Sequence, residues 1–391
     1  MGSPTWTCNL DWRTYVGDVG MAKILFSMCG EGRGHATRVQ TIVDRMKHEH
    51  SFILLAARDA YDQLYVRYME DPKVVVRRLP GLFFAYQGQR VNYFKSVFGA
   101  IPYLRRLGTI VRHIQQMIER DKPDLGITDF EPALPRAAAK CKLPWISLDH
   151  QHFLSVSDFS RMPWRFRWRA WFLRLSIPLF YTGQSSEVVS SFHHFPARSG
   201  TDHVQRIGVL LRVEIIEAKK NSPHSEHLVV YLRKHAPDNL WPALMATGCP
   251  CHIYGLGEKP SKANLQFHAI DNNQFVKHLA TSYCLITTAG NQLVGEAMYL
   301  EKPVLAIPED GNFEQGLNSR MVLDSGCGWT SSFKDITPHF LQQFLLAVPQ
   351  LRCNIVTDDL CGNDRAIQII QQHLSQCESQ RDRESVYPNA S

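Results

Sequence analysis

From residue 22 onward, short apolar runs alternate with stretches in which apolar residues recur every three or four positions. The runs are Lys23–Met28, Phe52–Ala57, Val74–Arg78, Leu125–Asp129 and Trp145–Asp149. Continuous apolar runs of this length fit strands buried on both faces, and spacings such as Val39, Ile42, Val43 and Met46 fit a helix between them. A second series begins near His227 with HLVVYL, CHIYGL, LQFHAI, CLITTA and PVLAIP, again separated by helical stretches. Strand and helix in alternation predict βαβ units, hence parallel sheets.

The polar stretch Arg212–His227, which contains Pro223, separates the two series and reads as a linker. The expected organisation is an extension over 1–20, a first doubly wound domain over 21–211, the linker over 212–227, a second such domain over 228–376 and a flexible tail over 377–391. The fold class is therefore α/β, with two Rossmann-like domains. A chain of 391 residues also exceeds the roughly 250–300 residues over which one core grows. Open sheets of this kind bind ligands beyond the carboxyl ends of their strands, so two of them facing one another make a cleft.

Composition narrows the classes. A hydrophobic content of 44% and a charged content of 20% are those of a globular protein. No run of about 18 apolar residues is present and the first residues do not read as a secretory leader, so a cytoplasmic location is expected. The ten cysteines form no paired framework, and Cys249 with Cys251 lacks the second pair a zinc site needs. The basic excess of +6 is locally concentrated in FSRMPWRFRWRAWFLR, residues 159–174, where arginine and tryptophan interleave. That mixture suits either the headgroup layer of an anionic membrane or a helix packed on its own domain through the indoles. No nucleic-acid module accompanies it.

The candidate chemistry lies in loops after strands. CGEGRGHATR follows the first run, with Gly30, Gly32 and Gly34 before His35. Glycines there let backbone approach a ligand at a helix start. The third glycine comes one residue too early for a dinucleotide fingerprint, and the lysine of a phosphate-binding loop is missing. His35 is then the reactive group. Asp129, 94 residues on at the end of a strand, is either its orienting acid or a cap for the helix after Pro132. The segment Leu148–His152, LDHQH, reads as a loop of the same pocket, with too few further ligands for a metal.

In the second domain, Thr288, Gly290, Asn291 and Gln292 form a small polar turn into a helix, whose free N–H groups suit a diphosphate. Glu296 on that helix can span a vicinal diol, and Glu314 and Gln315 open the next helix.

The order Gly290, Glu296, Pro303, Pro308, Glu314, Gln315, Asn318 resembles the donor-binding motif of GT-B glycosyltransferases, both the peptidoglycan UDP-N-acetylglucosamine transferase (MurG-like) and the UDP-glycosyltransferase types. Gly34-His35 resembles the glycine-rich turn of the same families. The resemblance implies a GT-B fold and transfer of a sugar from a nucleoside diphosphate sugar, uridine being favoured, to an acceptor hydroxyl with inversion. It implies no cofactor and no metal. His35 would be the base and Asp129 its partner. Gly34 belongs to the acceptor-side loop, Thr288 to Gln292 would hold the diphosphate, Glu296 the ribose, and Glu314 with Gln315 the sugar. Two positions depart from the families' pattern: Arg233 and Lys234 stand where a glycine-serine turn is usual, and Thr288 where many relatives have histidine. The aromatic, basic acceptor domain favours an amphiphilic, lipid-linked acceptor and a peripheral place at the inner face of the cell membrane. The competing functions are a sugar-nucleotide 2-epimerase and a non-catalytic sugar-binding protein.

Overall fold

The computed structural model describes residues 21–386 except 31–32, 82–85, 88–89, 92, 176, 180–182, 221–222, 224 and 234–235. The expected extension over 1–20 and Lys234 lie outside the described residues.

The first domain starts at β1 (Lys23–Met28), followed by α1 (Arg33–Met46), β2 (Ser51–Ala56), α2 (Arg58–Tyr68) and β3 (Val74–Arg78). A short hairpin of β4 (Tyr86–Gln87) and β5 (Arg90–Val91) leads into the long α3 (Tyr93–Asp121). Then come β6 (Leu125–Asp129), α4 (Ala133–Cys141), β7 (Trp145–Asp149), α5 (Phe153–Val156), α6 (Trp164–Arg174), β8 (Ser186–Ser190) and β9 (Gln205–Ile207). Seven strands form one sheet in the order β3-β2-β1-β6-β7-β8-β9, all parallel. Strand order reverses between β1 and β6, which is where such a sheet opens a crevice.

The second domain repeats the plan. After α7 (Val213–Lys219) come β10 (Leu228–Tyr231), α8 (Leu240–Ala246), β11 (Cys251–Tyr254), β12 (Lys259–Lys262), β13 (Leu265–Phe267), α9 (Asn272–Thr281), β14 (Cys284–Thr287) and α10 (Asn291–Tyr299). It ends with β15 (Val304–Ala306), α11 (Phe313–Asp324), β16 (Gly328–Thr330), α12 (Pro338–Cys353) and α13 (Asn363–Val386). The sheet order is β12-β13-β11-β10-β14-β15-β16, with only β12 antiparallel, and its switch point lies between β10 and β14. Helix starts follow the local chemistry: Asp271 caps α9 through Gln274 N at 2.7 Å, and Thr337 caps α12 ahead of Pro338.

Two stretches differ from the expected boundaries. The linker region holds a helix, α7, with Arg212 only 8% exposed at its N-cap. The C-terminal region is one helix through Val386, so the expected break at 376–377 falls inside it. Ala366, Ile370 and Leu374, at fourfold spacing, are buried against first-domain residues such as Val39, Ile42 and Ile127. The returning chain passes so close to the first domain that a Cβ on Gly362 would sit 2.3 Å from the Gly208 carbonyl oxygen, which only glycine allows.

Candidate active site

The two switch points face each other. β1 and β6 end level, with Met28 beside Asp129, and α1 begins directly above them. Across the cleft, β10 and β14 end level, with Tyr231 beside Thr287, and α10 begins above. The two helix starts meet: a Cβ on Gly34 would lie 3.6 Å from Gln292 Cβ.

On the first-domain side, His35 Nδ1 lies 2.9 Å from Asp129 Oδ1. The helix after β6 does not use Asp129 as its cap, because Glu131 accepts from Ala133 N and Leu134 N at 2.8 and 2.9 Å. Asp129 is therefore free for the imidazole. A third member joins them: Arg38, one turn further along α1, donates Nε to Asp129 Oδ2 at 3.0 Å and Nη2 to Oδ1 at 2.9 Å. Arg38 closed the sequence motif read above, but nothing marked its partner 91 residues away. Burial would raise the Asp129 carboxyl, yet the Arg38 charge and the His35 imidazole hold it below the usual carboxylate range. It stays ionised at neutral pH.

Two groups of opposite character meet the His35 ring at Nδ1. His35 Nδ1 also lies 3.0 Å from Arg38 Nη2. Arg38 Nη2 already has Asp129 Oδ1 as its acceptor at 2.9 Å, whereas an Nδ1 lone pair facing the carboxylate would be repelled, so the ionised carboxylate favours the tautomer protonated on Nδ1. Nε2 then carries the lone pair a base needs.

Behind this group, His152 Nδ1 lies 2.7 Å from Asp149 Oδ2, and burial of the ring is outweighed by the Asp149 charge, which raises the His152 pKa. His150 instead bridges the domains, with Nε2 at 2.9 Å from Asn318 Oδ1, while burial lowers its pKa. The LDHQH segment is thus a polar layer beneath the cleft.

On the second-domain side, Gly290 provides no side-chain cap, and the first bond of α10 runs from Val294 N to the Gly290 carbonyl. The N–H groups of Asn291, Gln292 and Leu293 are left at an open helix start. Space there is clear, since a Cβ on Gly290 would meet nothing within 4 Å. The positive charges of Arg33, Arg233 and Arg212 all act on the Tyr231 hydroxyl, whose pKa burial raises. Glu314 acts on both Arg38 and His150, which places it over the same cleft. Both switch-point turns carry a non-glycine residue in the left-handed region, Phe130 at φ 55° and Ala289 at φ 61°. Such conformations cost roughly 1–3 kcal/mol each and gather at functional sites.

The family model described as glycosyl transferase family 1 matches residues 22–349. The chain belongs to glycosyl transferase family 1. Solved structures agree on the fold. A UDP-glucosyltransferase from Polygonum tinctorium capable of glucosylating indoxyl superposes with a TM-score of 0.65 at 12% identity, covering 91% of this chain and 99% of that one. The calicheamicin glycosyltransferase gives 0.62 at 15% identity over 91% and 99%, and MurG of Acinetobacter baumannii gives 0.56 at 12% over 90% and 99%. No curated protein matches the chain in sequence.

Several side chains expected at the donor site of this family 1 glycosyltransferase are already engaged. Glu296 is 2% exposed, and its carboxylate accepts from Arg212 Nε at 3.0 Å and Nη2 at 2.8 Å. Arg212 also reaches Asn272 at the start of α9. The carboxylate expected to face a diol thus has both oxygens held in a buried ion pair. Gln315 is similarly tied to Glu309, accepting from its N–H at 2.8 Å and donating to its carboxylate at 3.2 Å. The Asn291 amide spans the cleft, taking the Phe192 N–H at 3.3 Å, and Gln292 donates to the Leu210 carbonyl at 2.7 Å. The Asn291 and Gln292 side chains fasten the two domains together, leaving their backbone N–H groups for a ligand. Thr288, 2% exposed, packs beneath the turn. Gly34, Gly290 and Glu314 remain at the cleft.

Helix α6 was open to two readings; it packs on its own domain through Ala170, Phe166 and Leu173, but not through its indoles. Trp164, Trp168 and Trp171, on one helical face, are 78%, 59% and 49% exposed. A groove of about 480 Å³ runs between them and Phe159, with Arg167 and Arg174 in its wall. Arg169 stacks over Phe313 at the start of α11, 4.9 Å from the ring centre, so the groove adjoins the second domain. No described helix is long and apolar enough to cross a membrane.

Proposed function

We propose that this glycosyltransferase moves a sugar from a nucleoside diphosphate sugar, with uridine as the favoured base, to the hydroxyl of an amphiphilic, lipid-linked acceptor. The observation that carries the reading is the His35–Asp129 pair facing an uncapped, open α10 start across one cleft. His35 Nε2 takes the acceptor proton as the oxygen attacks the anomeric carbon. The bond to the diphosphate breaks and configuration inverts in the one displacement. The imidazolium formed is held by the Asp129 carboxylate. The leaving diphosphate is met by the α10 N–H groups together with the Arg33 and Arg233 charges, which makes a bound cation unnecessary. In this reading Glu314 holds the sugar.

A panel of nucleotide sugars tested by thermal shift should single out one uridine diphosphate sugar. A ligand at 100 times its Kd stabilises by about 2.7 kcal/mol. Appearance of the 2-epimer without acceptor would assign the site to epimerisation instead, and binding with neither hydrolysis nor transfer would make the protein a sugar-binding module. For the acceptor, the exposed tryptophans and arginines of α6 support a membrane surface at the cytoplasmic face. Flotation with anionic liposomes should be strong at low salt, weaken as salt rises, and drop when Arg165, Arg167 and Arg169 are replaced together. No flotation at low salt removes the lipid acceptor and leaves a soluble aglycone.

A further inference from the structure

A separate cluster of histidines is built into the outer part of the second sheet. β11 and β13 run parallel, His252 lying opposite Gln266 and Ile253 opposite Phe267, and His268 N continues the ladder to the Ile253 carbonyl at 2.9 Å. Side chains alternate along each strand, so His252, Tyr254 and His268 share one face, while Cys251, Ile253 and Leu265 fill the core on the other. Helix α9 covers the first face and brings in His278. The histidines come from three elements at sequence spacings no metal motif would mark, which is why the sequence assigns them nothing.

We propose that His252, His268 and His278 form a three-imidazole site for a divalent transition metal, zinc first, with a fourth position left for water. One ligand nitrogen from each ring lies within 4.8 Å of the other two. Tetrahedral zinc with bonds of 2.0–2.1 Å holds its nitrogens about 3.4 Å apart, so small ring rotations complete the set. His252 Nδ1 and His268 Nε2 already face each other at 2.9 Å. The Tyr254 hydroxyl lies 2.8 Å from His278 Nδ1, where it can accept that N–H and leave Nε2 to the metal, the outer-layer support that metal-bound histidines commonly have. His227 stands behind, with Nε2 donating to the His278 carbonyl at 2.9 Å. Burial and the neighbouring histidines push His252 down to about 3, and burial with His268 and His227 pushes His278 to about 4, so both rings are neutral at physiological pH, as ligation requires. Ligation would clasp β11, β13 and α9, and none of these three residues belongs to the group gathered at the α1 and α10 starts.

Cobalt(II) is the probe. Chelator-treated full-length protein titrated with Co²⁺ should take up one equivalent, with the intense visible bands of a four- or five-coordinate ion, and Zn²⁺ should displace it. His268→Gln and His278→Ala, each checked for folding by far-ultraviolet circular dichroism, should both lose that spectrum. His113→Gln, on the exposed side of α3, should keep it. Absence of the bands in the native protein, or their persistence in both cluster variants, overturns the proposal and marks any uptake as adventitious binding to other histidines.

Discussion

Replacing His35 by alanine should leave the protein folded and lower kcat by about 10²–10⁴-fold, with affinity for the nucleotide sugar nearly unchanged. Folding survives because Arg38 alone still satisfies both Asp129 oxygens once the imidazole is gone. Asp129 itself is a poorer probe: its removal would leave the Arg38 guanidinium, 3% exposed, without its partner, so lost activity would be mixed with lost stability. Arg38→Met carries a similar cost, since it leaves the wholly buried Asp129 carboxylate with the imidazole alone, so its folding is checked beside its rate. A lower kcat with donor affinity unchanged in that variant places Arg38 with the base and not with the diphosphate. Rates measured from single turnovers across pH, beside donor titrations, check both variants. If His35→Ala weakens donor binding and leaves kcat alone, the imidazole belongs to the diphosphate and not to the acceptor.

Glu296→Ala should destabilise the free protein by about 3–5 kcal/mol before any donor is added, since it strands the buried Arg212 charge. Donor affinity should fall as well, because Arg212 lies among the cations around Tyr231 and links α7, α9 and α10. The two effects separate in a double substitution. Arg212→Met together with Glu296→Leu removes both charges, so most of the stability should return while donor affinity stays low. Denaturant unfolding with and without nucleotide sugar reads both. Should Glu296→Ala unfold at the same denaturant concentration as the native protein and weaken only the donor, its carboxylate serves the ribose directly and the ion pair is dispensable.

The contrast between Asp129 and Glu296 shows what the sequence could disclose. Central strands such as Leu125–Asp129 and Cys284–Thr287 were legible because burial on both faces writes them as short, mostly apolar runs that end in a polar residue. The edge strands β9, β12 and β16 were not: they are three or four residues long, and β12, Lys259–Lys262, is wholly exposed and polar. Residues whose role follows from a loop after a strand, such as His35 and Gly290, could be located from local pattern alone. Arg38 and Arg212 could not, since each acquires its meaning from a carboxylate 91 or 84 residues away. In the same way Glu131 took the helix cap that was the alternative role for Asp129, a competition between two acids only two positions apart that spacing cannot resolve.

Helix α13 lies last in the chain but fills the first domain's core with Ala366, Ile370 and Leu374. Dissecting the protein at the boundary its sequence suggests would therefore yield an N-terminal fragment with a bare apolar face and a C-terminal fragment trailing an unsheltered amphipathic rod. An autonomous acceptor half requires a graft, joining Gly208 through a short spacer to the segment from Gly362 onward, so that the final helix returns to the surface it already covers.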